Sequence, residues 1–284
     1  MSDPAKDAET RDQRAVLDRH GLSPKRSFGQ NFLLDRHLCE RIAELVTPPG
    51  AFVIEIGAGL GALTVPLLAR GREVVAIERD RELVPVLEAD FADSIASGRL
   101  RVVEADAKSF DYDAALDAAA APRAVVGNLP YNLTGPLLVR LIGLSRKLER
   151  AGALVQLEVA DRLAAKPEDD DYGALSVFAQ AAFRVTRPLV VRRGAFYPQP
   201  NVDSAVVVFE PHPTPLADET PVFRGLVKGA FGQRRKKLRN AWQKVAPTET
   251  LAAAAERAGI ALDRRGETLS VLDFARMARE LEPR

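Results

Sequence analysis

A mostly parallel α/β sheet followed by a small all-helical domain is the architecture this sequence predicts. Three observations carry the expectation. From residue 52 onward, short β-branched runs alternate with helical stretches, the pattern of strands covered on both faces. The first run ends in a glycine turn, Gly57-Ala58-Gly59-Leu60-Gly61, that opens into a helix. Past residue 220 helical periodicity continues without a strand signal.

Taken in order, strands are expected over residues 52–56, 73–78, 100–105, 123–128, 153–158, 184–191 and 204–209. Helices are expected over 36–46, 60–70, 81–92, 135–144 and 175–183, with several more after 220. Only a Pro- and Gly-rich stretch, 192–203, separates the last two strands, which favours an antiparallel pair closing a seven-stranded sheet. Pro211-His212-Pro213-Thr214-Pro215 reads as a stiff linker. The expected divisions are a flexible N-terminal extension (1–24), a catalytic domain (25–210) and a helical domain (211–284).

Composition narrows the functional classes. A chain of 284 residues, 46% hydrophobic, is long enough to bury a full core. No apolar run approaches the roughly 20 residues of a membrane span, and the mixed-charge N-terminus does not resemble a targeting peptide. With one cysteine, Cys39, an internal disulfide is impossible, and a buried thiol in a reducing cytoplasm is the expected reading. His20, His37 and His212 have no metal-ligand spacing, so no metal is expected. The net charge is only +1, but Arg224, Lys228, Arg234, Arg235, Lys236, Lys237, Arg239 and Lys244 form a block without an acidic residue. Such a block suits a polyanion, although a solvated helix face has the same composition.

The glycine turn lets a backbone approach a ligand closely. About 20 residues on, Glu78 ends the next strand, where a carboxylate accepts the two hydroxyls of a ribose. Together they imply an adenosyl-containing cofactor. Asp106 ends the third strand and is placed to accept an adenine amine, though an N-cap before Ala107 uses the same residue type. Because Gly57 to Ala62 also satisfies the relaxed dinucleotide fingerprint, a nicotinamide oxidoreductase stays open at this point.

The fourth strand ends in Asn128-Leu129-Pro130-Tyr131. The exocyclic amine of adenine is a poor nucleophile, because its lone pair is delocalised into the ring. Hydrogen bonds accepted from its two N–H groups draw the nitrogen toward tetrahedral geometry. The Asn128 side-chain oxygen and the Leu129 carbonyl supply two acceptors, Pro130 stiffens the chain that carries them, and Tyr131 offers a stacking face. No strong base is needed, since the nitrogen becomes acidic once methylated. Nothing in this tetrapeptide serves hydride transfer. A mostly parallel sheet closed by an antiparallel pair is what methyltransferases of the Rossmann-like class use.

Four segments occur in one order: Lys25-Arg26-Ser27-Phe28-Gly29-Gln30-Asn31-Phe32-Leu33, Glu55-Ile56-Gly57-Ala58-Gly59, Asn128-Leu129-Pro130-Tyr131, and residues 196–204 from Phe196 to Ser204. In this the chain resembles the ribosomal RNA adenine dimethyltransferase family, over most of residues 25–284. The resemblance implies S-adenosyl-L-methionine (SAM) held at Asn31, Leu33, Gly57, Glu78, Asp106 and Asn128, with Gln30 and Asn31 in a cofactor lid. It implies N6,N6-dimethylation of two adjacent adenines in a 3′-terminal hairpin of small-subunit ribosomal RNA, late in subunit assembly. It also sets Phe196 on the face of the base opposite Tyr131. The acidic loop 166–173 departs from the family pattern, and the extension before Lys25 is longer than the family core.

The basic segment is expected to start a helix whose Arg234, Arg235, Lys236 and Lys237 clamp RNA phosphates. Trp242 is expected in the core. The expected partner is small-subunit ribosomal RNA within an immature subunit, and the expected state a monomer. Two further functions stay open: a resistance-type methylase of large-subunit RNA, and a mainly non-catalytic assembly factor.

Overall fold

The computed structural model describes residues 13–130, 133–233 and 235–282. Tyr131 and Arg234, both named above, lie outside the described residues, as do residues 1–12. In chain order the elements begin with α1 (Gln13–Arg19), β1 (Phe32–Leu33), α2 (Arg36–Val46), β2 (Phe52–Ile56), α3 (Thr64–Arg70) and β3 (Glu73–Glu78). Next come α4 (Val84–Asp90), α5 (Ala92–Ala96), β4 (Leu100–Glu104), α6 (Tyr112–Asp117), β5 (Arg123–Asn128), α7 (Thr134–Gly143), β6 (Arg150–Gln156) and α8 (Leu157–Ala164). Then follow α9 (Ala174–Ala182), β7 (Phe183–Val191), β8 (Phe196–Tyr197), β9 (Ser204–Pro211), α10 (Pro221–Gly232), α11 (Leu238–Ala241), α12 (Thr248–Ala258) and α13 (Val271–Leu281).

Seven strands form one sheet in the order β4-β3-β2-β5-β6-β9-β7. The first five run parallel, and β9 enters antiparallel to β6. The expected α/β sheet is therefore present, and β1 and β8 add a separate two-stranded ladder. After β2 the chain winds outward through β3 and β4, then returns to place β5 on the other side of β2. Ligands bind at such a reversal, because the loops leaving the two adjacent strands part there and open a crevice. The Gly57–Gly61 loop after β2 and the segment Leu129-Pro130 that follows Asn128 at the end of β5 both leave from that point.

The sheet is apolar on both faces because helices cover it. Val53, Val74, Ala124, Val126 and Leu154 pack with Ile42, Ala43 and Val46 of α2 and Leu67 of α3 in one buried cluster. Asp35 starts α2 by accepting the Leu38 N–H at 3.1 Å, which fixes where that apolar stripe begins. Cys39 is buried in the same cluster, and burial pushes its thiol pKa up to about 12, as befits an inert packing residue.

Two compact units divide the chain, one of residues 1–160 and 186–210, the other of 161–185 and 211–284. This differs from the expected boundary, since residues 161–185 group with the C-terminal helices. The reason is apolar packing. Tyr172 and Val177 are buried with Phe223, Leu226, Trp242 and Phe274, and the Tyr172 hydroxyl donates to the Leu269 carbonyl at 2.9 Å. Trp242 is a core residue, its indole N–H donating to the Leu226 carbonyl at 2.9 Å. The acidic loop 166–173 belongs to this helical unit, where the Glu168 N–H bonds the Glu267 carbonyl at 3.0 Å.

The described part of the N-terminal extension, from residue 13, also differs from the expected tail. In α1, Val16 and Leu17 are buried against Phe32, Leu60, Leu83 and Val86, and the Arg14 guanidinium lies 4.8 Å from the centre of the Tyr197 ring. Among the described residues no helix is long and apolar enough to cross a membrane.

Close packing of α2 on the sheet depends on one glycine. A Cβ at Gly152 of β6 would lie 2.1 Å from Val46 Cγ1, so helix or strand must shift to admit it. Gly152→Ala is expected to cost about 1–3 kcal/mol in urea unfolding. Because Val46 Cβ is itself 2.2 Å from that position, adding Val46→Gly should return part of that loss, and strict additivity of the two changes would contradict the packing described.

Candidate active site

The crevice at the sheet reversal is a cleft with about 1020 Å³ of space open to solvent. Residues 57–60 of the glycine loop, Glu78, Asp106, Asn128-Leu129-Pro130 and the segment Ser27–Leu33 line it. Asn31, Leu33, Gly57, Glu78, Asp106 and Asn128, drawn from five separate parts of the sequence, therefore meet in one cavity.

Gly57, Gly59 and Gly61 have φ of 70°, 60° and 85°, left-handed values that a side chain rarely tolerates. This conformation turns the chain sharply out of β2 and aims the Gly59 N–H at Glu78 Oε2, 2.8 Å away. The second carboxylate oxygen of Glu78 accepts the N–H groups of Arg79 and Asp80, each at 2.8 Å. Burial raises the pKa of Glu78, and these three backbone donors oppose the shift. The cradle suits a ligand carrying a vicinal diol. Asp106 stands at the end of β4, where Oδ1 accepts the Lys108 N–H at 2.9 Å and Oδ2 lies 3.4 Å from an Arg79 guanidinium nitrogen. It caps a turn, since no helix begins at Ala107, and it is also part of the cleft wall.

Asn128 is the last residue of β5. Its Nδ2 donates to the main-chain carbonyl of Asn31 at 2.9 Å. With the nitrogen so engaged, Oδ1 is the end of the amide that remains to accept a hydrogen bond in the cleft. Among the described residues none donates to Oδ1, and none uses the Leu129 carbonyl within the backbone network. Leu129 itself is buried, its N–H tied to the Leu154 carbonyl at 3.1 Å. The Pro130 carbonyl takes the Leu133 N–H at 2.9 Å and the Thr134 hydroxyl at 3.1 Å, which anchors the turn to α7.

Phe196 does not take the expected place. It pairs with Leu33 in the β8–β1 ladder, is 2% exposed, packs in the main core cluster, and is absent from the cleft lining. The ladder turns its ring inward, so it supports Leu33 instead of facing a base. The basic segment departs as well. The described residues Gln233, Arg235, Lys236 and Lys237 lie between α10 and α11 outside any helix, with Lys237 as the N-cap of α11. Arg235, Lys236 and Lys237 are exposed there, and among the described residues no ion pair engages them. Asn31, Leu33 and Asp106 line the cleft.

Glu55 lines the cleft, yet the sequence reading gave it no part. It lies in the middle of an otherwise apolar strand, is 1% exposed, and accepts the Thr64 hydroxyl at 2.7 Å. A lone acid in a buried strand was the available signal. Burial raises its pKa to about 7, aided by the Glu78 charge and opposed by Thr64. Between about pH 4.5 and about 7 the folded chain therefore holds a proton that the unfolded chain has released. The stabilisation is complete below that window and is lost as pH rises through it, on the order of 3 kcal/mol. Glu55→Gln keeps an acceptor for Thr64 and lacks the proton. Relative to this variant, the wild type should lose stability between pH 4.5 and 7 in urea unfolding, and parallel pH profiles would contradict the assignment.

A family profile described as Ribosomal RNA adenine dimethylase matches residues 21–282. The chain is 47% identical over 281 residues to a protein of Anaeromyxobacter sp. (strain K) named Ribosomal RNA small subunit methyltransferase A, covering 94% of this chain and 97% of that relative. A protein of the same name from Geobacter metallireducens is 42% identical over 268 residues, covering 92% and 96%. Among solved structures, a dimethyladenosine transferase from Plasmodium falciparum shares the fold at a TM-score of 0.75 and 23% identity, covering 87% of this chain and 95% of that one. The 23S rRNA methyltransferase ErmE gives a TM-score of 0.67 at 26% identity, covering 88% and 99%. With the profile spanning both units and relatives this similar over nearly their whole length, the chain belongs to the ribosomal RNA adenine dimethylase family.

Proposed function

We propose that this protein is a SAM-dependent enzyme that dimethylates the N6 amines of two adjacent adenines in the 3′-terminal hairpin of small-subunit (16S) ribosomal RNA. The observation that carries this is the Asn128 amide, tethered through its nitrogen so that its oxygen is left to accept from an amine in the cleft. The names of the relatives over nearly the full chain support the small subunit over the large one. The tethered amide in a cleft lined by the glycine loop and two acids favours an enzyme over a purely structural assembly factor.

The cleft fits the cofactor on its own geometry. A loop with glycine at every second position lies beside a buried carboxylate, with a second acid just past the end of the neighbouring strand. Gly57, Asn31 and Leu33 would hold the amino-acid side, Glu78 the ribose and Asp106 the adenine. When bound, SAM supplies an electrophilic sulfonium methyl. The residues of the chain do the rest. Asn128 Oδ1 and the Leu129 carbonyl accept from the target amine and raise its nucleophilicity, Pro130 fixes the turn, and Tyr131 supplies a stacking face for an extruded base. Phe196 acts beneath them by holding Leu33 in its ladder. A second transfer to the same nitrogen needs room for the monomethylated amine to rotate.

Arg234, Arg235, Lys236 and Lys237 are assigned to the RNA backbone. Phosphate contacts supply affinity and register without sequence choice. The working partner is the immature small subunit in the cytoplasm, engaged by a monomer.

Two measurements test this. Tritiated SAM with under-methylated small subunits should label the two adjacent hairpin adenines, and label confined to large-subunit RNA would overturn the target. In the same assay Asn128→Ala should slow single-turnover transfer by ~100-fold or more while the chain stays folded, and a near-wild-type rate would contradict the role of the amide. Changing Arg235, Lys236 and Lys237 together to Ala should make the slope of log affinity against log salt shallower by about 2 to 3. An unchanged slope would remove these residues from the interface.

A further inference from the structure

We propose that Asp80 is a positioning residue for methyl transfer: one carboxylate ties the lid segment Lys25–Asn31 to the turn that presents Glu78, and so fixes the carbonyl on which Asn128 hangs. The proposal rests on the roles given above to Glu78 and Asn128.

Asp80 is only 2% exposed although it follows the end of β3 in the charged run Arg79-Asp80-Arg81-Glu82. Its Oδ1 accepts the Lys25 ammonium at 2.7 Å and the Glu82 N–H at 3.1 Å. Its Oδ2 accepts the Gln30 side-chain amide at 2.7 Å. The other end of Gln30 takes the Lys25 N–H at 2.7 Å, and the Lys25 ammonium reaches Glu82 at 2.9 Å. On the opposite side, the Asp80 N–H donates to Glu78 Oε1 at 2.8 Å. Two chain segments about fifty residues apart are thus joined through one side chain.

Each arm leads to a reacting group. Through Glu78 the clamp reaches the Gly59 N–H, hence the glycine loop. Through Gln30 it reaches the adjacent Asn31, whose carbonyl holds Asn128 Nδ2. Loosening the lid lets that carbonyl move and the amide rotate, which takes Oδ1 off the line to the amine. Burial opposes ionisation of Asp80, but the bonds from Lys25 and Gln30 outweigh it and lower the pKa, so the carboxylate is charged and accepts on both oxygens. A buried carboxylate filled by donors from a lid has geometric work that a surface aspartate in a turn does not.

Reversing the polarity of the Asp80–Gln30 bond tests this in the full-length chain. Asp80→Asn places an amide against the Gln30 amide, and Gln30→Glu places two carboxylates 2.7 Å apart. In the double variant the introduced amide donates to the introduced carboxylate, which still accepts the Lys25 N–H. Each single change should slow single-turnover transfer at saturating SAM about tenfold and weaken SAM binding in calorimetry. The double should return both to within about threefold of wild type. Rescue by polarity reversal reports on the bond itself, which a role confined to folding would not produce. Wild-type transfer in both singles, or a double as slow as the slower single, overturns the proposal. Lys25→Met, at a partly exposed side chain, removes one arm should a buried variant fail to fold, and wild-type transfer in it also overturns the proposal. A wild-type chain that neither binds SAM nor labels the subunit overturns the functional reading and this role with it, whereas an active wild type with indifferent variants removes the role of Asp80 alone.

Discussion

The hydrogen bond from Asn128 Nδ2 to the Asn31 carbonyl, 2.9 Å long and spanning 97 residues of sequence, is the interaction on which the functional account depends. An asparagine amide has one accepting end and one donating end of nearly equal size. Left alone at a cleft mouth it presents either. Tethering the nitrogen removes that ambiguity before substrate arrives, so the accepting end is set in advance and no reorientation is required during the reaction. The acceptor is a backbone carbonyl, and a main-chain position is held by everything around it: the β1–β8 ladder after Asn31 and the Asp80 clamp before it.

The sheet supplies the second constraint. Because the chain reverses its direction of winding between β2 and β5, the loops after these strands face one another across a crevice. One loop has glycine at every second position, and the amide stands at the start of the other. Glu78 on β3 and Glu55 on β2 bring two acids into this apolar setting, and they are treated differently. Glu78 is met by three backbone N–H groups, whereas Glu55 meets one hydroxyl. Burial raises the pKa of both, but only Glu78 has the donors to accommodate charge. Transfer of a methyl group to a neutral amine needs no buried base, which leaves Glu55 free to be a structural acid beneath the loop.

Much of this was legible in the sequence where the signal is local. Strand alternation gave 52–56, 73–78 and 123–128 with the observed bounds, and the glycine turn, Glu78 and Asn128 were identified from their positions at strand ends. What was not legible depends on contacts distant in sequence. Phe196 precedes a turn and looks available for stacking, until pairing of β8 with β1 turns it into the core. Asp80 lies in a run of four charges that reads as solvated surface, and only folding brings Lys25 and Gln30 over it. Residues 161–185 follow the sheet in sequence, yet burial of Tyr172 with Phe223 and Phe274 groups them with the C-terminal helices. The two apolar residues that secure α1, Val16 and Leu17, are too few to stand out in a polar extension.

The most direct measurement is a crystal structure of the chain with S-adenosylhomocysteine and a short RNA carrying the target adenine. The account predicts Asn128 Nδ2 still on the Asn31 carbonyl and Oδ1 within hydrogen-bond distance of the adenine N6, with that nitrogen facing the sulfur. An Asn128 side chain turned out of the cleft, or its nitrogen directed at the base while the Asn31 carbonyl bonds elsewhere, would contradict it.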